Sequence, residues 1–361
     1  MPKSVDYITN NPVTSQLRLV AWEVTRKCNL NCIHCRASSE RGPYHEELDT
    51  KKCFEILKQI SLVAKPIIIL TGGEPLLRED IFNLSKQGTK MGLRMVLATN
   101  GTLLTPRIIE GIKSSGIKRV SISLDGADEN QHDEFRNIPG AYKRAMEGIQ
   151  LLKKGDVEFQ INTTVTKHNV KNIKNILNMA VRLGAAALHI FLLVPTGRAK
   201  EMINQEIDAL EYEKLLHWFY QMRDKTPIHL KATCAPHYYR ILRQEAHAKG
   251  EKVDYETYGL DAMTRGCLGG TSFCFISNHG IVQPCGYLEL NCGDLTDSSF
   301  ESIWRNSEIF NQLRNFSSYK GKCGRCEYIK FCGGCRARAF EATGDFLAEE
   351  PLCAYQPKMN S

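Results

Sequence analysis

Cysteine placement constrains this chain more than any other feature. Of its fourteen cysteines, three stand together as Cys28, Cys32 and Cys35. Eight more recur toward the C-terminus as Cys267, Cys274, Cys285, Cys323, Cys326, Cys332, Cys335 and Cys353, leaving Cys53, Cys234 and Cys292 outside both groups. The opening stretch, MPKSVDYITNNPVTSQ, is polar and lacks the apolar segment of a signal peptide, so a cytoplasmic location is expected. Structural disulfides are disfavoured in that compartment. Cysteines grouped in this way then read as ligands for metal ions or iron–sulfur clusters. Any fold must therefore gather thiols from two distant parts of the chain.

Between residues 18 and 232 short apolar runs alternate with longer amphipathic stretches. Strands are expected at Leu19–Val24, Ile67–Leu70, Arg94–Ala98, Val120–Leu124, Phe159–Val165 and Leu188–Val194, each rich in Val, Ile and Leu as strands covered on both faces are. Helices are expected at Lys52–Leu62, Ile81–Met91, Ile108–Ser115 and Val170–Leu183, with Thr105 and Pro106 as a helix start. Strand then helix, repeated, implies parallel strands with right-handed crossovers. A conspicuous polar motif accompanies each strand, and all would converge on the C-terminal rim of a barrel. The expected fold is α/β: a partial (β/α)6 TIM-like barrel followed by a small cysteine-rich iron–sulfur domain. The expected division is an N-terminal extension over 1–17, the barrel over 18–232, a bridge over 233–264 and the auxiliary domain over 265–361. In that last part glycine and cysteine rise and long helical periods vanish.

Composition excludes little else. Hydrophobic residues make up 42% and charged residues 24% of the 361 positions, ordinary for a globular protein. No apolar run reaches the length of about 18 residues that a membrane helix needs. The net charge of +7 is spread along the chain; nucleic-acid binding would need a denser basic stripe, whereas an anionic substrate suits the sign.

Cys28, Cys32 and Cys35 form C-x3-C-x2-C. Three thiolates on a 4Fe–4S cluster leave one iron open to a small molecule; the alternative is zinc with His34 as fourth ligand. Thr71-Gly72-Gly73-Glu74-Pro75 follows the second strand, with glycines that let backbone approach a ligand and a carboxylate that can meet an ammonium group. Together these motifs resemble the signature of the radical S-adenosylmethionine superfamily. The resemblance implies that the open iron chelates S-adenosylmethionine and that reductive cleavage yields a 5′-deoxyadenosyl radical. It implies cofactor contacts from Gly72, Gly73, Glu74, Ser123, Asp125, Asn162, Thr164, Val194 and Gly197.

The C-terminal pattern runs Cys267-x12-Gly280-x4-Cys285, then Cys323-x2-Cys326-x5-Cys332-x2-Cys335, then Cys353. It resembles the SPASM domain, although that family spaces the last close pair by three residues and here the spacing is two. The resemblance implies one or two auxiliary 4Fe–4S clusters: one set of Cys267, Cys274, Cys285 and Cys335, and another of Cys323, Cys326, Cys332 and Cys353. Zinc ribbons are the alternative.

ATCAPHYYR, between the two regions, brings together Cys234, His237, Tyr238, Tyr239 and Arg240. This segment, with VAWEVTRKCNLNCIHCRAS, FLLVPTGR, RGCLGGTSFCFIS and VQPCGYLEL, resembles the haem b synthase family of the alternative, sirohaem-based pathway. The resemblance implies oxidative decarboxylation of two propionates of Fe-coproporphyrin III, with ferredoxin or flavodoxin as electron donor. Arginine and lysine suit propionates, so Arg198, Lys231, Arg240 and Arg243, with His237, Tyr238 and Tyr239, are the expected substrate residues. Competing readings are a sibling tetrapyrrole enzyme, either the deacetylase one step earlier or the synthase of the denitrification haem, a SPASM peptide maturase, or an electron carrier. The short stretch before the first strand argues against a maturase, and the open-iron motif against a carrier.

Overall fold

The computed structural model describes residues 16–358. Most of the expected 1–17 extension, including the polar leader, lies outside the described residues. The chain builds one ten-stranded sheet in the order β10-β9-β8-β1-β2-β3-β4-β5-β6-β7. The strands are β1 (Leu19–Thr25), β2 (Ile67–Gly72), β3 (Arg94–Thr99), β4 (Val120–Ser123), β5 (Phe159–Val165), β6 (Ala187–Leu192), β7 (His229–Thr233), β8 (Phe273–Ile276), β9 (Ile281–Gln283) and β10 (Gly293–Asp294). From β8 through β7 every pairing is parallel; β9 and β10 add an antiparallel margin.

The helices between these strands are α1 (Thr50–Val63), α2 (Ile81–Lys90), α3 (Pro106–Ser114), α4 (Glu129–Arg136), α5 (Ala141–Lys154), α6 (Ile173–Leu183) and α7 (Ala209–Met222); α8 (His237–Ala248) follows β7. Side chains alternate between the two faces of a strand. On β1, Val20, Trp22 and Val24 face the helices and are buried with Ile56, Leu57 and Ile60 of α1. Burying such a side chain fully contributes about 1.5–3 kcal/mol, and this outer layer is the main core. Helix starts are set locally: Asp49 accepts from Lys52 N at 2.7 Å, and Thr105 accepts from Ile108 N at 3.3 Å with Pro106 in the first turn.

The partial barrel and the cysteine-rich region are both present, with two additions. A further parallel strand, β7, pairs with β6 through Ile190↔Ala232. The sheet also runs past the expected boundaries, because β8 comes from the cysteine-rich segment yet pairs with β1 through Val20↔Cys274. Barrel and cysteine-rich region therefore share one sheet. The inner face stays partly open: Ile69, Val96, Asn162, Thr164, His189, Phe191 and Lys231 are only half-buried, so the strand ends surround space rather than a packed barrel core.

Candidate active site and metal centres

The loop from β1 to α1 carries the first three cysteines. Cys28 and Cys32 are buried and Cys35 is half-buried. Each sulfur receives an N–H: Leu30 N donates to Cys28 Sγ at 3.4 Å, Ser39 N to Cys35 Sγ at 3.4 Å, and Arg136 Nη1 to Cys32 Sγ at 3.5 Å. Burial pushes the Cys28 thiol up to about 12, so the ionised ligand form needs a cation at the site. Three sulfurs, two of them on buried cysteines, each facing an N–H donor suit an iron–sulfur cluster, whose properties such donors tune. Among the described residues no three His, Cys, Asp or Glu side chains close on one point as a single metal ion would require.

The glycine pair after β2 seats this loop. A Cβ on Gly72 would lie 2.2 Å from Thr25 O, and one on Gly73 would lie 2.4 Å from Lys27 O. Gly197 does the same from the far side. Its φ is +57°, and a Cβ there would lie 2.1 Å from Arg36 O and 2.5 Å from Cys35 O.

Two acidic residues play a different part from the one expected. Glu74 is fully buried and accepts from Thr99 Oγ1 at 2.7 Å, Asn100 N at 2.8 Å and Leu76 N at 3.1 Å. Burial pushes its carboxyl up to about 7. It ties the ends of β2 and β3 together. Asp125 is also fully buried, ion-paired with Arg136 and accepting from Thr164 N at 2.7 Å. Through these contacts it braces the end of β5 and the Arg136 guanidinium beside Cys32. Ser123, Asn162 and Thr164 are half-buried on the open face, where a ligand can reach them. Val194 is buried beside Leu288 and Cys335, and its carbonyl accepts from Thr196 N at 2.8 Å.

The expected substrate residues are mostly structural. Arg198 donates from Nε to Cys32 O at 2.9 Å, from Nη1 to Ser39 O at 3.0 Å and from its backbone N to Cys35 O at 3.0 Å. It is a tie on the cysteine loop. His237, Tyr238, Tyr239 and Arg240 are buried on α8. Tyr238 and Tyr239 pack edge-to-face at 5.5 Å, and Arg240 pairs with Glu213 at 2.5 Å. Arg243 donates to Tyr239 O at 3.2 Å and lies over the Phe331 ring at 3.8 Å. The segment continues as an amphipathic helix against α7, which withdraws these side chains from the mouth. Lys231 alone of the set stands on the open inner face of β7.

Cys323, Cys326, Cys332 and Cys353 line one cavity with His237 and Arg240. Here too sulfurs accept: Arg336 Nη2 reaches Cys323 Sγ at 3.5 Å, Glu350 N reaches Cys323 Sγ at 3.4 Å, and Gly334 N reaches Cys332 Sγ at 3.5 Å. Both His237 ring nitrogens are buried without a hydrogen-bond partner. Four thiols and unpartnered polar atoms around one cavity suit a bound cluster. Cys274 departs from its expected set. On β8 it shares the helix-facing side with Ile276 and is buried in the main core, whereas Phe275 faces inward under the Arg36 guanidinium at 4.6 Å.

Sequence reasoning passed over two features. His189 sits on the inner face with its Nδ1 2.9 Å from Gln160 Nε2; the period-two pattern of β6 was the available signal. Arg338, fully buried, joins the regions by donating to Leu193 O at 3.0 Å and Cys234 O at 3.2 Å while pairing with Glu350. No local pattern marks it.

Comparison with known proteins agrees with this geometry. Residues 22–180 match the family model of the Radical SAM superfamily, and residues 267–336 match that of the SPASM iron–sulfur cluster-binding domain. An AdoMet-dependent heme synthase of Nitratidesulfovibrio vulgaris is 54% identical, covering 94% of this chain and 93% of that protein. The protein of the same name from Methanosarcina barkeri is 51% identical, covering 96% and 98%. The crystal structure of Streptococcus suis SuiB bound to S-adenosylmethionine shares the fold, with a TM-score of 0.75 at 17% identity, covering 94% of this chain and 78% of that one.

Proposed function

Because the chain belongs to the family of the AdoMet-dependent heme synthases, radical SAM enzymes with a SPASM domain, we propose that it converts Fe-coproporphyrin III to haem b. Each of two propionates would lose a hydrogen atom from its β-carbon, then one electron and carbon dioxide, leaving a vinyl group. When bound, the three-cysteine cluster and S-adenosylmethionine supply the radical that takes the hydrogen, and an auxiliary cluster supplies an electron acceptor.

The observation that carries this reading is identity above half with named heme synthases over nearly the whole chain. The barrel supports it. The space inside the strand ends is bordered by Ser123, Asn162, Thr164 and Phe191 and includes the cation Lys231, giving polar, aromatic and cationic groups for a planar anionic macrocycle. Arg198, Gly73 and Gly197 hold the cysteine loop at that same rim, so a propionate entering the space meets the site where S-adenosylmethionine would lie. We place the enzyme in the cytoplasm, with ferredoxin or flavodoxin as electron donor.

Absorption titration with Fe-coproporphyrin III tests the substrate. Wild type is expected to perturb the porphyrin band, Lys231→Ala to weaken binding several-fold, and S-adenosylmethionine binding to stay unchanged in the variant. Wild type with no affinity for the porphyrin would refute the substrate assignment while leaving the radical machinery intact.

A further inference from the structure

Cys267, Cys285 and Cys335 are brought together where barrel meets cysteine-rich region, but the fourth cysteine at that place comes from the barrel. We propose that Cys234 is the fourth thiolate ligand of the auxiliary cluster held by Cys267, Cys285 and Cys335, in the position expected of Cys274. The proposal rests on the SPASM domain and is independent of which tetrapyrrole is the substrate.

Cys234 is the first residue after β7, at the rim of the barrel. It packs in one apolar patch with Cys285 and Cys335, alongside Val194, Leu288 and Tyr287. Cys267 is drawn to the same place by its backbone N–H, which donates to Cys332 O at 3.1 Å three residues before Cys335.

The backbone at Cys234 is built for this placement. Its φ is +54°, a left-handed conformation that costs a non-glycine residue about 1–2 kcal/mol. The turn is held by two donors to the Cys234 carbonyl, Arg338 Nη2 at 3.2 Å and Tyr212 Oη at 3.4 Å. Arg338 therefore fixes the residue and places a guanidinium beside the thiol group.

Cys274 cannot serve in its place without turning β8 over. It pairs with Val20 in the sheet, and both point into the helix-packed core. A one-residue shift of register would bring Cys274 inward but would send Phe275 into the core and disrupt the β1 pairing.

A ligand from the end of β7 sets the cluster against the barrel mouth. Val194 touches this patch, and Gly197, three residues on, lies against the backbone of Cys35. The turn from Val194 to Gly197 thus touches both cysteine sites.

The full chain, reconstituted anaerobically, tests the assignment through iron and sulfide content and the EPR spectrum of the reduced protein, with no need for turnover. Cys234→Ala is expected to lose about four irons per chain, or to convert one auxiliary signal to a three-iron type, while the radical cluster signal persists. Cys274→Ala is expected to keep the wild-type iron content and spectrum. Should Cys234→Ala misfold, Cys234→Ser takes its place: a shifted auxiliary signal supports oxygen ligation at this position. The proposal is overturned by a folded Cys234 variant with the wild-type iron content and spectrum, or by a Cys274→Ala chain that selectively loses one auxiliary cluster.

Discussion

Arg136 donates from Nη1 to the sulfur of Cys32 across 3.5 Å. The same guanidinium is ion-paired with the fully buried Asp125. A positive group is thus held against one cluster ligand by a carboxylate that has no access to water.

Removing one side of that pair exposes its cost. Arg136→Met should destabilise the protein by about 3–5 kcal/mol, since it strands a buried carboxylate. The double variant Arg136→Met/Asp125→Asn should recover much of that loss, because neither charge remains. Denaturation of Arg136→Met, Asp125→Asn, the double variant and wild type measures the coupling. Restored stability should not restore the cluster: loss of the N–H donor to Cys32 is expected to move the radical cluster to a more negative potential, read by EPR-monitored redox titration. Equal stability of the single and double variants would show that the pair is not coupled.

Arg198 makes a prediction that separates loop-holding from substrate binding. Arg198→Ala removes two side-chain bonds to the carbonyls of Cys32 and Ser39. Each such bond to a charged donor is worth about 1.5–3 kcal/mol. The variant should bind less radical cluster and cleave less S-adenosylmethionine, while auxiliary cluster content stays at the wild-type level. A variant with full radical cluster and weakened porphyrin binding would return Arg198 to the substrate site.

His132 supplies a pH test. Its Nδ1 accepts from Asp125 N at 3.1 Å, and burial, with Arg136 adding to it, holds its pKa down from 6.5 to about 3. Between those values the unfolded chain binds a proton that the folded chain does not. The neutral ring's contribution is therefore complete above 6.5 and is lost as pH falls toward about 3. The slope is up to about 1.4 kcal/mol per pH unit for one group. His132→Asn keeps an acceptor but cannot titrate, so its denaturation midpoint should fall less steeply with acid than wild type. Parallel slopes would mean that His132 is protonated in the folded state.

Much of the barrel was legible because its strands are covered by helices outside and read as apolar runs. Phe159–Val165 is found with the expected bounds, and the helix start at Thr105 and Pro106 is capped as expected. β7 was passed over because His229 and Lys231 face the open interior and interrupt the apolar run. The same openness marks where ligands can enter, so the missed strand and the candidate site share a cause. The triplet was legible because its ligands are adjacent in sequence. The proposed auxiliary set was less so, because it joins Cys234, just past β7, to the C-terminal region, and spacing says nothing of which face a strand residue takes. In FCFI the alternation of Cys274 with Phe275 decides that face. TCAPHYYR read as substrate-binding because of its residue types, yet its continuation through Ile241 and Leu242 makes the buried side of α8.

The most direct test is mass spectrometry of tetrapyrroles after anaerobic incubation of the reconstituted enzyme with Fe-coproporphyrin III, S-adenosylmethionine and a reductant. The account predicts loss of two propionate carboxyl groups to give haem b, dependent on Cys32, with Cys32→Ala yielding neither haem nor 5′-deoxyadenosine. Cleavage of S-adenosylmethionine by wild type with Fe-coproporphyrin III left unchanged, in the presence of intact auxiliary clusters, would contradict it.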